Sequence, residues 1–282
     1  MSVIEAAILG LVQGLTEFLP ISSTGHLTLT GKIMGVISKE HPEQWTAFIA
    51  VIQLGTLLAV LVYFRVELWK IIVDFLRDNL THRKKYDEQT LYSKLGWLII
   101  IGSIPVGIIG LGFKDFIEGA FTKNLYVISG SLIIFALVLA YAEKIGKFKK
   151  EMKDITWKDA LIIGTFQSLA LIPGSSRSGT TITGGLFVGL KRDVAAKFSF
   201  LLGIPAILAS GLLEFYQSLN FLDSSGMINL LVATFVSALS GYFAIDFLLK
   251  YLKVHSTRVF VSYRIAIALV ILYLITTKVI GA

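Results

Sequence analysis

The sequence predicts an all-α, polytopic membrane protein: six transmembrane helices and two re-entrant helical hairpins in an inverted-topology repeat. Three observations predict it. Apolar residues run in long blocks, basic residues crowd into alternate loops, and two proline-broken segments resemble each other. Of 282 residues, 55% are hydrophobic and 16% charged, and the mean hydropathy is +0.75. A soluble domain carries about a quarter charged residues, so the soluble, fibrous and disordered classes are excluded.

A bilayer core takes about 20 apolar residues as a helix. Segments 46–64, 95–113 and 125–142 meet this without a charge, and 198–222, 227–249 and 259–277 meet it with Glu214, Asp246 and Arg264 respectively. Segments 3–37 and 160–190 are interrupted by Pro20 and Pro173 among Gly, Ser and Thr. Their halves are too short to cross, which predicts re-entrant hairpins whose broken backbone is buried in protein or lines a cavity. The N-terminus carries Glu5 instead of a positive stretch, so the first helix is expected to belong to the mature protein.

Basic residues set the orientation. Segments 65–94 and 143–158 hold seven and six Lys/Arg, and 191–197 and 250–258 hold three each. Placing these in the cytoplasm puts both termini outside, with 3–37 dipping in from the outer face and 160–190 from the cytoplasmic face. Trp45, Trp69, Trp97 and Trp157 fall at expected span ends, and 66–80 reads as a helix on the cytoplasmic surface. The net charge of +7 is thereby used for topology, and no nucleic-acid partner is expected. Cysteine is absent, which excludes disulfides and thiolate chemistry.

The broken segments share Gly10-x-x-Gln13 with Gly164-x-x-Gln167, and Pro20-Ile-Ser-Ser with Pro173-Gly-Ser-Ser after one residue of slippage. Each is followed by three spans, so residues 1–150 and 151–282 form two oppositely oriented halves of one membrane domain, with the site where they meet.

In the first break Gln13 and Glu17 share a helix face, Ser22, Ser23 and Thr24 form the turn, and His26 follows. Ionisable residues at membrane depth are costly and usually functional. Glu17, Ser23 and His26 are the catalytic candidates, with Gln13, Ser22 and Thr24 as binding residues. In the second break Ser175, Ser176, Arg177, Ser178 and Thr181 surround a helix start expected near Thr180. Amide donors, hydroxyls and a guanidinium there suit a phosphate. Arg177 needs an anion or a carboxylate partner. The purely structural alternative is that Ser22–Thr24 only cap the next half-helix and Glu17 pairs with Arg177. Gln53, in a charge-free span, is a further candidate donor. Arg264 is expected to snorkel to the cytoplasmic end, and Asp246 to pair with Lys250. His41, His82 and His255 read as surface residues.

AAILGLVQGLTEFLPISSTGH (6–26), VIQLGTLLAVLVYF (51–64) and LIPGSSRSGTTITGGLFVGLKRDVAAKFSFLL (171–202) resemble the undecaprenyl-diphosphate phosphatase family of bacterial bacitracin-resistance proteins, over essentially the whole chain. The resemblance implies an enzyme of the bacterial plasma membrane, its site open to the extracytoplasmic side. It implies removal of the terminal phosphate of a C55 polyprenyl diphosphate, which recycles the lipid carrier for cell-wall synthesis. It also implies a divalent cation, Mg²⁺ or Ca²⁺. Glu17 is the metal candidate, while Gln13 leaves its position one carboxylate short. Ser23, His26 and water all stay open as the nucleophile, and a homodimer is left open. Two other classes compete. A phosphatidic-acid-phosphatase-type enzyme needs a second histidine after Ser176-Arg177, and none occurs before His255. An inverted repeat alone also suits a transporter.

Overall fold

The computed structural model describes residues 1–37, 42–112, 124–219 and 224–281. Loop residues 114–123 and His41 lie outside these. Eleven α-helices account for the described architecture: α1 (Val3–Glu17), α2 (Ser23–Ile33), α3 (Pro42–Tyr63), α4 (Arg65–Leu76), α5 (Leu91–Gly112), α6 (Leu125–Ile145), α7 (Trp157–Ser168), α8 (Arg177–Phe187), α9 (Arg192–Ser218), α10 (Ser224–Val254) and α11 (Arg258–Thr276). Six of them, α3, α5, α6, α9, α10 and α11, are long and apolar enough to cross a membrane. They fall on the six expected spans.

Of the five shorter helices, one is α4 and four form two pairs, α1–α2 and α7–α8. With 15, 11, 12 and 11 residues, each is shorter than the roughly 30 Å of a hydrocarbon core at about 1.5 Å per residue. Local chemistry sets their starts. Ser2 and Glu5 form a capping box ahead of α1, and Thr156 and Asp159 form one ahead of α7. Pro20 and Pro173 follow the helix ends, and the chain turns before α2 and α8 begin.

The first helix of each pair packs against a long helix from the other half of the chain, α1 on α10 and α7 on α5. Gly10 and Gly164 let these backbones touch, since an added Cβ would lie 2.3 Å from the Ala233 carbonyl oxygen or 2.0 Å from that of Gly102. Further contacts join α3 to α9 and α6 to α11. The largest buried apolar cluster includes Phe18 and Ile21, on either side of Pro20, with Phe64, Phe198, Phe200 and Leu202.

Helix α4 and a short π-turn, Arg77–Thr81, occupy the segment expected on the membrane surface, with Val66, Trp69, Ile72, Leu76 and Leu80 exposed. Asp78 anchors its return to α5. The Thr90 N–H, at 2.9 Å, and the Lys84 ammonium hold its carboxyl down at about 2. The expected Asp246–Lys250 pair is present at 2.7 Å. His255 stacks on Tyr251 beyond the end of α10.

Candidate active site

The two breaks meet. Ser22 caps α2, its hydroxyl accepting from the Gly25 N–H, and Ser176 caps α8, accepting from the Gly179 N–H. Both serines hold positive φ, 75° and 70°, which costs about 1–3 kcal/mol each and is tolerated where surrounding structure fixes it. The cap at Ser176 starts α8 at Arg177, three residues before the start expected near Thr180, because the serine hydroxyl satisfies the free amide there. Likewise Ser23 and Thr24 belong to the first turn of α2, leaving Ser22 alone as the cap. Gly174, at φ +86°, sits so close to the Ile128 carbonyl that a Cβ would lie 2.5 Å from its oxygen.

The caps also set the register of the two segments. Nine residues separate Gln13 from Ser22 and Gln167 from Ser176, so the glutamines and the caps correspond without a gap. The residue after each cap is then Ser23 in one segment and Arg177 in the other. The Pro-Xaa-Ser-Ser match, which aligned Ser23 with Ser176, is one residue out.

Glu17, buried at the end of α1, joins the two halves. Its Oε1 accepts from Arg177 Nη2 at 2.6 Å, and its Oε2 accepts from Ser23 Oγ at 2.6 Å and Gln13 Nε2 at 2.9 Å. Arg177 Nη1 also donates to the Gly203 carbonyl at 3.3 Å, and Ser178 Oγ donates to the Leu19 carbonyl at 3.0 Å. A carboxylate, a hydroxyl and a guanidinium thus converge in a cavity of about 590 Å³ that is also bordered by Ser22, Thr24, Gln53, Ser176 and Glu214. Its far wall is apolar, formed by α5 and α9 around Val106, Leu111, Ile207 and Leu213. A polar end with an anion-receptive guanidinium and an apolar flank fit an amphiphile with a phosphate head.

The family model of the bacitracin resistance protein BacA matches residues 6–270 of this sequence. The chain belongs to that family. An undecaprenyl-diphosphatase of Syntrophobacter fumaroxidans is 56% identical over 275 residues, 98% of this chain and 98% of that protein. Undecaprenyl-diphosphatases of Myxococcus xanthus and Chloroherpeton thalassium are each 47% identical, over 98% of this chain and 90% and 98% of theirs.

Within this BacA-family site, the remaining sequence candidates sit behind the cavity wall. Thr181 Oγ1 donates to the Arg177 carbonyl at 2.7 Å and is hydrogen-bonded to Ser199, while Ser175 is fully buried. His26 turns toward α11. Its Nδ1–H donates to the Ser22 carbonyl at 2.7 Å, which leaves Nε2 to accept from the Tyr263 hydroxyl at 2.8 Å. Arg264, the next residue, does not snorkel. It is fully buried, and its Nη2 donates to the Gly174 and Ser175 carbonyls at 3.2 and 2.8 Å. Its position two turns into α11 faces the packed loop, whose free carbonyls take the place of water. One signal for it existed, since it is the single charge in 259–277.

Proposed function

We propose that this chain is a membrane-embedded undecaprenyl-diphosphate phosphatase. It cleaves the terminal phosphoanhydride bond to release inorganic phosphate and undecaprenyl phosphate, the carrier for cell-wall synthesis, and so confers bacitracin resistance. Its near full-length relationship to enzymes of that name is the observation that carries the reading. The site supports it with a guanidinium and a hydroxyl, each hydrogen-bonded to the same carboxylate, Glu17.

In the reading we favour, the terminal phosphate enters beside Arg177, whose planar fork shifts from Glu17 to the phosphate oxygens. Ser23 Oγ attacks phosphorus and passes its proton to Glu17 Oε2, already 2.6 Å away. The anhydride bond breaks, and undecaprenyl phosphate leaves with the proton from Glu17, which is again a carboxylate. Water then hydrolyses the phosphoserine, with Glu17 as base. His26 braces the α2 start instead of taking the proton, because both its nitrogens are engaged elsewhere. In the rival route water attacks directly, and Ser23 only donates a hydrogen bond.

A divalent cation fits this donor set only with help from the substrate. Among the described residues no three His, Asp or Glu side chains cluster, and Glu17 and Glu214 are the carboxylates bordering the cavity. Mg²⁺ is commonly held by one or two carboxylates together with substrate phosphates. Glu17 would hold it here, and it would neutralise charge on the diphosphate.

The charge distribution supports both termini outside, the two broken-helix pairs entering as re-entrant hairpins from opposite faces, and a site open to the outer side. Cross-packing of α1 on α10 and α7 on α5 supports inverted halves at 1–150 and 151–282. The direct test is phosphate release from C55 diphosphate by protein in detergent. We expect release that a chelator abolishes and Mg²⁺ or Ca²⁺ restores. Transport of the intact lipid without phosphate release would overturn the reading.

A further inference from the structure

Gln167, in the last turn of α7, is fully buried and borders the cavity beside Gly174, Ser176 and Arg177. Neither its Nε2 nor its Oε1 has a hydrogen-bond partner among the described residues. Buried amides are rarely left in that state, and the exceptions call for an explanation at the site they face. Its counterpart supplies one. Gln13 donates to Glu17, four residues on, and does not border the cavity. Four residues after Gln167 stands Leu171, so the carboxylate that holds the first glutamine is missing from the second segment.

We infer that Gln167 binds the substrate diphosphate. Its Nε2–H donates to a phosphate oxygen, and its Oε1 accepts from a water held against the same group. The residue supplies a donor without adding charge, at a site where Glu17 already opposes an anion and Arg177 is the bordering cation. This deepens the phosphatase reading and rests on it.

The experiment compares wild type with Gln167→Leu in detergent. It measures the affinity for inorganic pyrophosphate by thermal shift, KM for C55 diphosphate, and the unliganded Tm. Loss of a hydrogen bond to a charged group should weaken pyrophosphate binding and raise KM by about tenfold or more. The unliganded Tm should hold or rise, because the side-chain amide has no hydrogen-bond partner among the described residues to lose. Pyrophosphate affinity and KM within twofold of wild type would overturn the assignment, and so would a lowered Tm with KM unchanged. If Gln167→Leu does not fold, Gln167→Met, of similar length with neither the donor nor a charge, decides by the same two affinities. Were wild type to bind pyrophosphate, and the variant not, while neither released phosphate from lipid, Gln167 would remain a ligand and the hydrolase reading would fail.

Discussion

Residues 2–33 and 156–187 are one scaffold used twice for different chemistry. At a constant offset of 154 they share a capping box, a close-packed glycine, a buried glutamine and a serine cap with positive φ, and each ends in an 11-residue helix. They differ at the positions that meet. Glu17 corresponds to Leu171, Ser23 to Arg177 and His26 to Thr180. One segment therefore brings the carboxylate and the hydroxyl, and the other brings the cation. Neither segment forms the site alone. One helix braces both, since the adjacent residues Tyr263 and Arg264 of α11 hold His26 and the Gly174–Ser175 carbonyls.

That division can be broken most severely at its ion pair. Glu17→Ala should lower turnover by about 10²–10³, and Arg177→Lys by a similar factor, since a point charge cannot reproduce the fork. Folded Arg177→Lys protein with near-normal turnover would show that the second segment contributes charge alone. Ser23→Ala should also be deeply impaired, and rapid quenching of wild type should trap ³²P on the protein. If no ³²P is trapped and Ser23→Ala stays active, the attacker is water and the first segment supplies only a base. The mildest test leaves turnover as it is. Cysteines at Ile33 and Lys158, exposed residues outside the cavity, should be labelled from the outside and only after permeabilisation respectively. Labelling of both from the same face would contradict opposite entry of the two segments. Outside the comparison, the depressed Asp78 carboxyl adds stability above its unfolded pKa, near 4, which is lost as pH falls towards 2.

The spans, the two breaks and the convergence of Glu17, Ser23 and Arg177 were legible in the sequence, because each is written in local terms. Twenty apolar residues cross a bilayer wherever they pack, and a charge among apolar residues announces a partner. Pro20 and Pro173, set among Gly, Ser and Thr, mark breaks, whereas Pro105 and Pro205 lie in apolar runs and stay inside α5 and α9. The partner of Arg177 was offered only as the structural alternative to a catalytic Glu17, and the fold makes that pair. Tertiary structure alone decided the rest. The register of the two segments depends on which serine takes the cap, and Pro-Xaa-Ser-Ser reads equally well one residue away. His26 was drawn to the site by its nearness to Ser23 in the chain, yet a helix start points successive side chains in different directions, and α11 lay on the side it faces. Arg264 read as a snorkelling residue because distance to a helix end is visible in sequence, whereas the carbonyls of a loop 89 and 90 residues away are not. Gln167 was visible only as an echo of Gln13. That one glutamine has a carboxylate to hold and the other borders the cavity without a partner among the described residues is a fact about neighbours, and neighbours are what the fold supplies.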